Sequence, residues 1–232
     1  MIEPVSEDAV LITLAEAIDD TLPARIARLS QSLRDAKLPW LQDLIPSYAT
    51  LLVVYDPMLA DFRDVTSRLK TIMSTEDFQT DIKQPPTGKL VELPVYYSIE
   101  SGPDLAWLAA ETGLDMLDII RRHTAIEYRV HALGFAPGFA FMGEVDPAIA
   151  KPRKQTPRKQ VPAGSVGIAN RQTAVYPQAS PGGWQIIGCC PTTLFDPDTL
   201  SLLRVGDRVR FCAISRQDFL AAGGKLTETR LP

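Results

Sequence analysis

The chain has 232 residues, 45% of them apolar and 22% charged, and its 24 basic and 28 acidic side chains leave a formal net charge of −4. Those proportions exclude a disordered chain, and they lack the cationic footprint that general nucleic-acid or membrane-surface binding requires. No apolar run approaches the roughly 20 residues that cross a bilayer, Met1-Ile2-Glu3-Pro4 carries acid where a secretory signal carries base, and the three cysteines lack CxxC spacing, so a cytoplasmic protein is expected.

In chain order, residues 10–14 form a short β-prone run. Thr21 then stands where a cap belongs, before Leu22, Ile26, Leu29, Leu33 and Ala36 on one helical face. Residues 41–45 and 49–55 read as strands around the Pro46-Ser47 turn, and Asp56-Pro57 stops the second. After Asp61, the spacing of Phe62, Val65, Leu69 and Ile72 predicts a second helix. This β-α-β-β-α order, with a further strand possible near Leu90, is that of a small ferredoxin-like α+β sandwich spanning residues 1–86. The polar stretch 75–84 and Pro85-Pro86-Thr87-Gly88 mark its boundary.

Residues 87–232 form the second expected domain. A strand over 90–97 precedes two short helices, one opening at Pro103 and ending near Gly113, the next capped by Asp115 with Asp118 three residues on and His123 at its end. From Ile126 onward, β-prone runs over 127–133, 164–169, 173–176, 184–188 and 208–213 are separated by Pro and Gly, the pattern of a closed or strongly curved barrel.

Charge is segregated along this second part. No acid occurs between Asp146 and Asp196, while Lys151, Arg153, Lys154, Arg158, Lys159 and Arg171 supply six positive charges. Such a tract either focuses an anion or is merely a solvated basic loop. Pro152-Arg153 and Pro157-Arg158 repeat a stiffened Pro-Arg pair, a candidate clamp because the guanidinium fork matches carboxylate or phosphate; an Arg beside Pro also commonly lies in solvent or pairs with a surface acid. Gly134-Phe135-Ala136-Pro137-Gly138-Phe139 and Pro181-Gly182-Gly183-Trp184 offer ligand-facing walls or, equally, turns whose aromatics fill core. Gly164-Ser165-Val166-Gly167 lacks the first glycine of a nucleophile elbow and sits in a strand context. His123 and His131 show no metal spacing, Cys189-Cys190 reads as a pair of buried thiols, and neither a Walker lysine loop nor a dinucleotide fingerprint is present.

The motifs just quoted, with Val161-Pro162-Ala163-Gly164-Ser165-Val166-Gly167-Ile168-Ala169, Gln172-Thr173, Tyr176-Pro177, Ser180 to Gly188, Gly102-Pro103-Asp104-Leu105 and Gly206-Asp207-Arg208-Val209-Arg210-Phe211, resemble the allophanate hydrolase subunit 1 family over essentially the whole chain. Its members include the B-type subunit of bacterial 5-oxoprolinase and the sporulation-kinase inhibitor KipI. The resemblance implies a cyclophilin-like β-barrel after the small N-terminal domain. It also implies a companion subunit 2-type polypeptide, a lactam-processing subunit, and ATP-dependent opening of 5-oxoproline to L-glutamate, with the isolated chain inactive. The groove is expected to use Arg153 and Arg158 for anions and Phe135, Phe139, Tyr176, Gly182, Gly183 and Trp184 as its wall. His123 and Ser165 are its catalytic candidates, and no metal is expected. Two other readings stay open at this stage, a non-catalytic inhibitor of a sensor histidine kinase and a carboxyltransferase-like part of a urea carboxylase system. Ser98-Ile99, His131 and Cys189-Cys190 depart from the family pattern, the last replacing Arg-Thr and removing a cation.

Overall fold

The computed structural model describes residues 1–15, 22–74 and 88–226. Two expectations, the Thr21 cap and the boundary tract from Thr75 to Thr87, lie outside the described residues. The chain divides into two compact units, Met1–Thr87 and Gly88–Pro232.

In the first unit, strands β1 (Ile2–Ser6), β2 (Ala9–Thr13), β3 (Leu41–Pro46) and β4 (Thr50–Tyr55) form an antiparallel sheet in the order β1-β2-β4-β3. Alternation in β4 sends Leu51, Val53 and Tyr55 to one face, where they meet Ile26, Leu29 and Leu33 of α1 (Leu22–Asp35) and Val65, Leu69 and Ile72 of α2 (Phe62–Met73). The Asp61 carboxylate caps α2 by accepting from the Arg63 and Asp64 amides at 2.8 and 2.9 Å. The strand near Leu90 does not join this sheet. β1 fills the edge position instead, and its exposed Glu3, Pro4 and Val5 left no alternating pattern to read.

Leu90–Val95 (β5) begins the second unit. After it come α3 (Leu105–Thr112), α4 (Met116–Thr124), β6 (Glu127–Leu133), β7 (Ala140–Gly143), β8 (Arg158–Val161), β9 (Ser165–Ala169), β10 (Gln172–Val175), β11 (Ser180–Gly182), β12 (Gln185–Cys189), the short pair β13 (Phe195–Asp196) and β14 (Leu200–Ser201), β15 (Arg208–Ala213) and α5 (Arg216–Ala221). Seven of these strands form one sheet in the order β12-β9-β10-β7-β6-β15-β5. β5 pairs in parallel with β15, from Leu90↔Arg208 to Val95↔Ala213. Just past β5, Tyr96 exchanges backbone hydrogen bonds with Cys189 of β12 at 2.9 and 3.0 Å, which brings the two ends of the sheet together as a nearly closed barrel. Its interior holds Leu93, Val95, Tyr128, Val130, Met142, Val166, Ile168, Val175, Ile187, Val209 and Phe211, with Leu105, Leu108 and Ile119 of the two helices packed in. α3 ends where expected, at Gly113 in the left-handed conformation (φ 70°), and Asp115 caps α4 through the Asp118 amide. No helix among the described residues is long and apolar enough to cross a membrane.

Candidate functional site

Strands β9 and β10 are buried on both faces, and this builds the site. Val166, Ile168 and Val175 point into the barrel core, whereas Ala169, Ala174 and Tyr176 join a second cluster with Phe139, Val161, Trp184 and Ile186. That second face is covered by a two-stranded ribbon in which β8 and β11 pair through Ser180↔Val161 and Gly182↔Arg158.

Within the cluster, Phe139 meets Tyr176 at 5.3 Å and Trp184 at 5.6 Å, both edge-on, the geometry that ring quadrupoles favour. The Gly134 to Phe139 turn closes by Gly134 N–H donating to Phe139 O and Phe139 N–H to Ala136 O. Phe135 and Gly138 take positive φ (69° and 80°), which drives Phe139 inward and leaves Phe135 64% exposed, edge-on to Phe139 and Tyr176. Gly182 is obligatory here, since a Cβ would sit 2.3 Å from the Tyr176 hydroxyl. Burial pushes that hydroxyl's pKa up, opposed by its bond with the Trp184 backbone and by Arg153 and Arg158.

The two Pro-Arg pairs diverge. Arg153 is exposed, with its guanidinium 5.8 Å from the centroid of the buried Trp184 ring. Arg158 turns inward instead. Its Nη2 donates to Asp104 at 2.6 Å and its Nη1 to Trp184 O at 3.3 Å, while Lys154 Nζ donates to the same Asp104 oxygen at 3.1 Å. The other Asp104 oxygen accepts the Ile186 amide at 2.7 Å. The expectation of a paired clamp is thereby corrected: a carboxylate 4% exposed must be compensated, and the tract's own cations do this before any ligand arrives. Two cations on one anion leave that cluster with a net single positive charge.

His123 does not reach the groove. It is fully buried in the barrel, stacked on Phe211 at 4.6 Å, with Nδ1 bonded to the Tyr97 hydroxyl at 2.8 Å and Nε2 to the Thr173 hydroxyl at 2.9 Å. Burial lowers its pKa to about 3, so it is a neutral strut in the barrel interior and relays no proton to the site. Ser165 lies in β9, 3% exposed, with no histidine or carboxylate partner among the described contacts. A base-activated nucleophile is therefore not assembled. His131 is also buried, in β6.

Beside the ribbon lies a cavity of about 440 Å³. Ser101 and Pro103 border it from the loop before α3, Arg158 and Gln160 from β8, Ser165 from β9, Cys189 from β12, and Lys225 from the segment after α5. The volume is that of a small-molecule site. Burial pushes the Cys189 thiol up to about 12, so it is protonated and inert at neutral pH. Phe135, Phe139, Arg153, Tyr176, Gly182, Gly183 and Trp184 thus gather on the ribbon face, Arg158 joins ribbon and cavity, Ser165 lines the cavity, and His123 is separated from both. Gln160 and Lys225 carry no site signal in the sequence, where Lys154 counts only as one charge of the basic tract and Asp104 only as part of a family motif. Asp104 follows a proline at the start of an apolar helix, which reads as a helix entry, and its two basic partners lie 50 and 54 residues away. No group of three or more His, Cys, Asp or Glu side chains able to hold a metal occurs among the described residues. Of the cations lining the cavity, Arg158 is committed to Asp104 and Lys225 is left, a set that suits one carboxylate better than a triphosphate.

The family described as carboxyltransferase domain, subdomain C and D, matches residues 1–203. A protein named as the B-type subunit of 5-oxoprolinase, from Bacillus subtilis (strain 168), is 39% identical over 95% of both chains, and one of the same name from Escherichia coli O157:H7 is 39% identical over 89% of this chain and 93% of its own. Among solved structures, that of TTHA0988 superposes with a TM-score of 0.77 at 35% identity, covering 93% of this chain; the present chain spans 40% of that one. The Kluyveromyces lactis urea carboxylase superposes with a TM-score of 0.79 over 95% of this chain and 22% of its own, at 18% identity, a likeness of fold alone.

Proposed function

Because the chain belongs to the carboxyltransferase domain, subdomain C and D, family and is related to proteins named as the B-type subunit of 5-oxoprolinase, we propose that it is one component of a heteromeric, ATP-dependent 5-oxoprolinase. The complex opens the lactam of 5-oxoproline to L-glutamate in the cytoplasm. The observation in the structure that carries the reading is the cavity beside β8. It is large enough for a small amide, it borders a cluster with one net positive charge, and it offers Gln160 and Ser165 as polar groups for a lactam.

An amide is a poor electrophile, and ATP supplies the activation of its oxygen before water attacks. The residues of this chain fit the substrate's carboxylate better than a triphosphate, so the nucleotide is assigned to a companion subunit or to a site shared with it. The chain's own part is to bind the lactam, orient it and shield it. The exposed Phe135 and Arg153, set over buried Tyr176 and Trp184, are the surface on which the subunit 2-type partner completes the enclosure, with a further lactam-processing subunit in the complex. Three free cysteines suit a reducing compartment. For the finer fold names, the sheet order β1-β2-β4-β3 with α1 and α2 on one face supports a ferredoxin-like reading of the first unit, and the Tyr96–Cys189 closure supports a cyclophilin-like reading of the second.

The test is reconstitution. The chain, co-expressed with a subunit 2-type protein and a lactam-processing subunit from the same genome, is assayed for glutamate release from 5-oxoproline with and without ATP. Release that requires ATP and all three chains is expected, and Arg153→Ala is expected to lower it about tenfold or more by weakening subunit docking. An assembled wild-type complex that releases no glutamate overturns the proposal.

A further inference from the structure

The cavity's second cation comes from a part of the chain that lies beyond the family match, which ends at residue 203. α5 is fixed by local chemistry. The Ser215 hydroxyl caps it through the Asp218 amide at 3.1 Å, and Phe219 is fully buried against Tyr96 at 5.6 Å. Arg216 Nε donates to Glu100 at 2.9 Å, and Tyr96 Oη donates to the same Glu100 oxygen at 2.7 Å, tying the helix to a residue that lines the cavity. Both bonds hold the Glu100 carboxyl below its usual pKa, so its charge is answered by Arg216.

The chain then leaves α5 through two glycines with definite tasks. Gly223 takes φ 83°, and Gly224 lies so close to Phe219 that a Cβ would sit 2.4 Å from the ring. Gly224 N–H donates to Phe219 O at 2.9 Å. This turn places Lys225 and Leu226 on the cavity wall, with Lys225 free of any ion pair among the described residues. Of the charges bordering the cavity, Arg158 is shared with Asp104 and Glu100 is answered by Arg216. Among the described residues, Lys225 is the one cation lining the cavity that has no ion-pair partner, and it adds to the net positive charge of the Asp104 cluster.

We propose that Lys225 is a specificity-determining residue of this cavity, selecting a small amide that carries a single carboxylate by pairing with that carboxylate, while Gln160 and Ser165 face the uncharged end. The inference rests on the proposed function and names the group that reads the substrate's charge. An ammonium is suited to the task because it is a compact point charge on a flexible stem, able to follow the ligand in and to release it.

In the reconstituted complex, Lys225→Ala is expected to raise the KM for 5-oxoproline about tenfold with kcat little changed, since one charge-assisted hydrogen bond to a ligand is worth roughly that factor. Lys225→Arg is expected to restore most of the affinity. Inhibition by 2-pyrrolidinone, the same ring without the carboxylate, is expected to be equal in wild type and Lys225→Ala. Lys225 is exposed, so an unchanged melting temperature confirms that the variant folds. An active wild-type complex whose KM is unmoved by Lys225→Ala, or whose 2-pyrrolidinone inhibition weakens along with it, overturns this inference and leaves the function standing. An inactive wild-type complex overturns the function and this inference with it.

Discussion

His123 shows how far a residue's role depends on where it is folded. Its pKa falls from the ordinary value of 6.5 to about 3 through desolvation alone, so the folded state refuses a proton that the unfolded chain accepts. The unfolded state therefore binds more protons between those two values. Stability from this group is whole above about pH 6.5 and is lost progressively as pH falls toward 3. At pH 5 the loss is about 2 kcal/mol relative to pH 7.5. Urea denaturation at those two values checks this, with His123→Gln expected to be less stable at pH 7.5 but to lose less on acidification; an identical loss in wild type and variant contradicts it. Asp104 makes the same point. Its sequence context marks a helix entry, yet its carboxylate organises Lys154, Arg158 and the Ile186 amide at once.

Among the elements, the β8–β11 ribbon decides whether the aromatic face forms. Tyr176 and Gly182 fit only because the glycine has no side chain, with the ring carbons 2.9 Å and the hydroxyl 2.3 Å from where a Cβ would stand. Gly182→Ala is expected to destabilise the protein by about 1–3 kcal/mol through overpacking. Tyr176→Phe, which removes the nearest atom, is expected to recover part of that loss in the double variant, so the two changes are not additive in equilibrium denaturation. The ribbon itself was only half legible. Arg158 to Val161 mixes three long polar side chains with one buried valine, and Ser180-Pro181-Gly182 carries no β signal, so pairing between them is a product of their packing on the barrel. By contrast β15 alternates through buried Val209 and Phe211, and the bounds of both β6 and β15 follow from the sequence unchanged.

For the whole molecule, β15 holds the barrel together. It lies between β6 and β5 and pairs in parallel with β5 across six positions whose sequence separation is 118 residues, so neither neighbour closes without it. A chain ending at Leu203 retains the residues of the family match but loses β15. Such a chain is expected to lack the cooperative melting transition of the second unit while keeping the far-ultraviolet signal of the first, whose sheet contains only β1 to β4. A full transition in the truncated chain would show that β15 is dispensable.

Local chemistry was legible in the residues alone: the helices that start after Asp61 and Asp115, the Gly113 stop and most barrel strands, because periodicity and turn residues act within a few positions. Packing between distant segments settled that Leu90–Val95 pairs with β15, that Arg158 serves an internal carboxylate, that His123 is buried in the barrel core, that the rings of Phe139, Tyr176 and Trp184 meet, and that Lys225 reaches the cavity. Each of these depends on a partner tens of residues distant, and charge compensation and burial are settled by what lies next to a group in space.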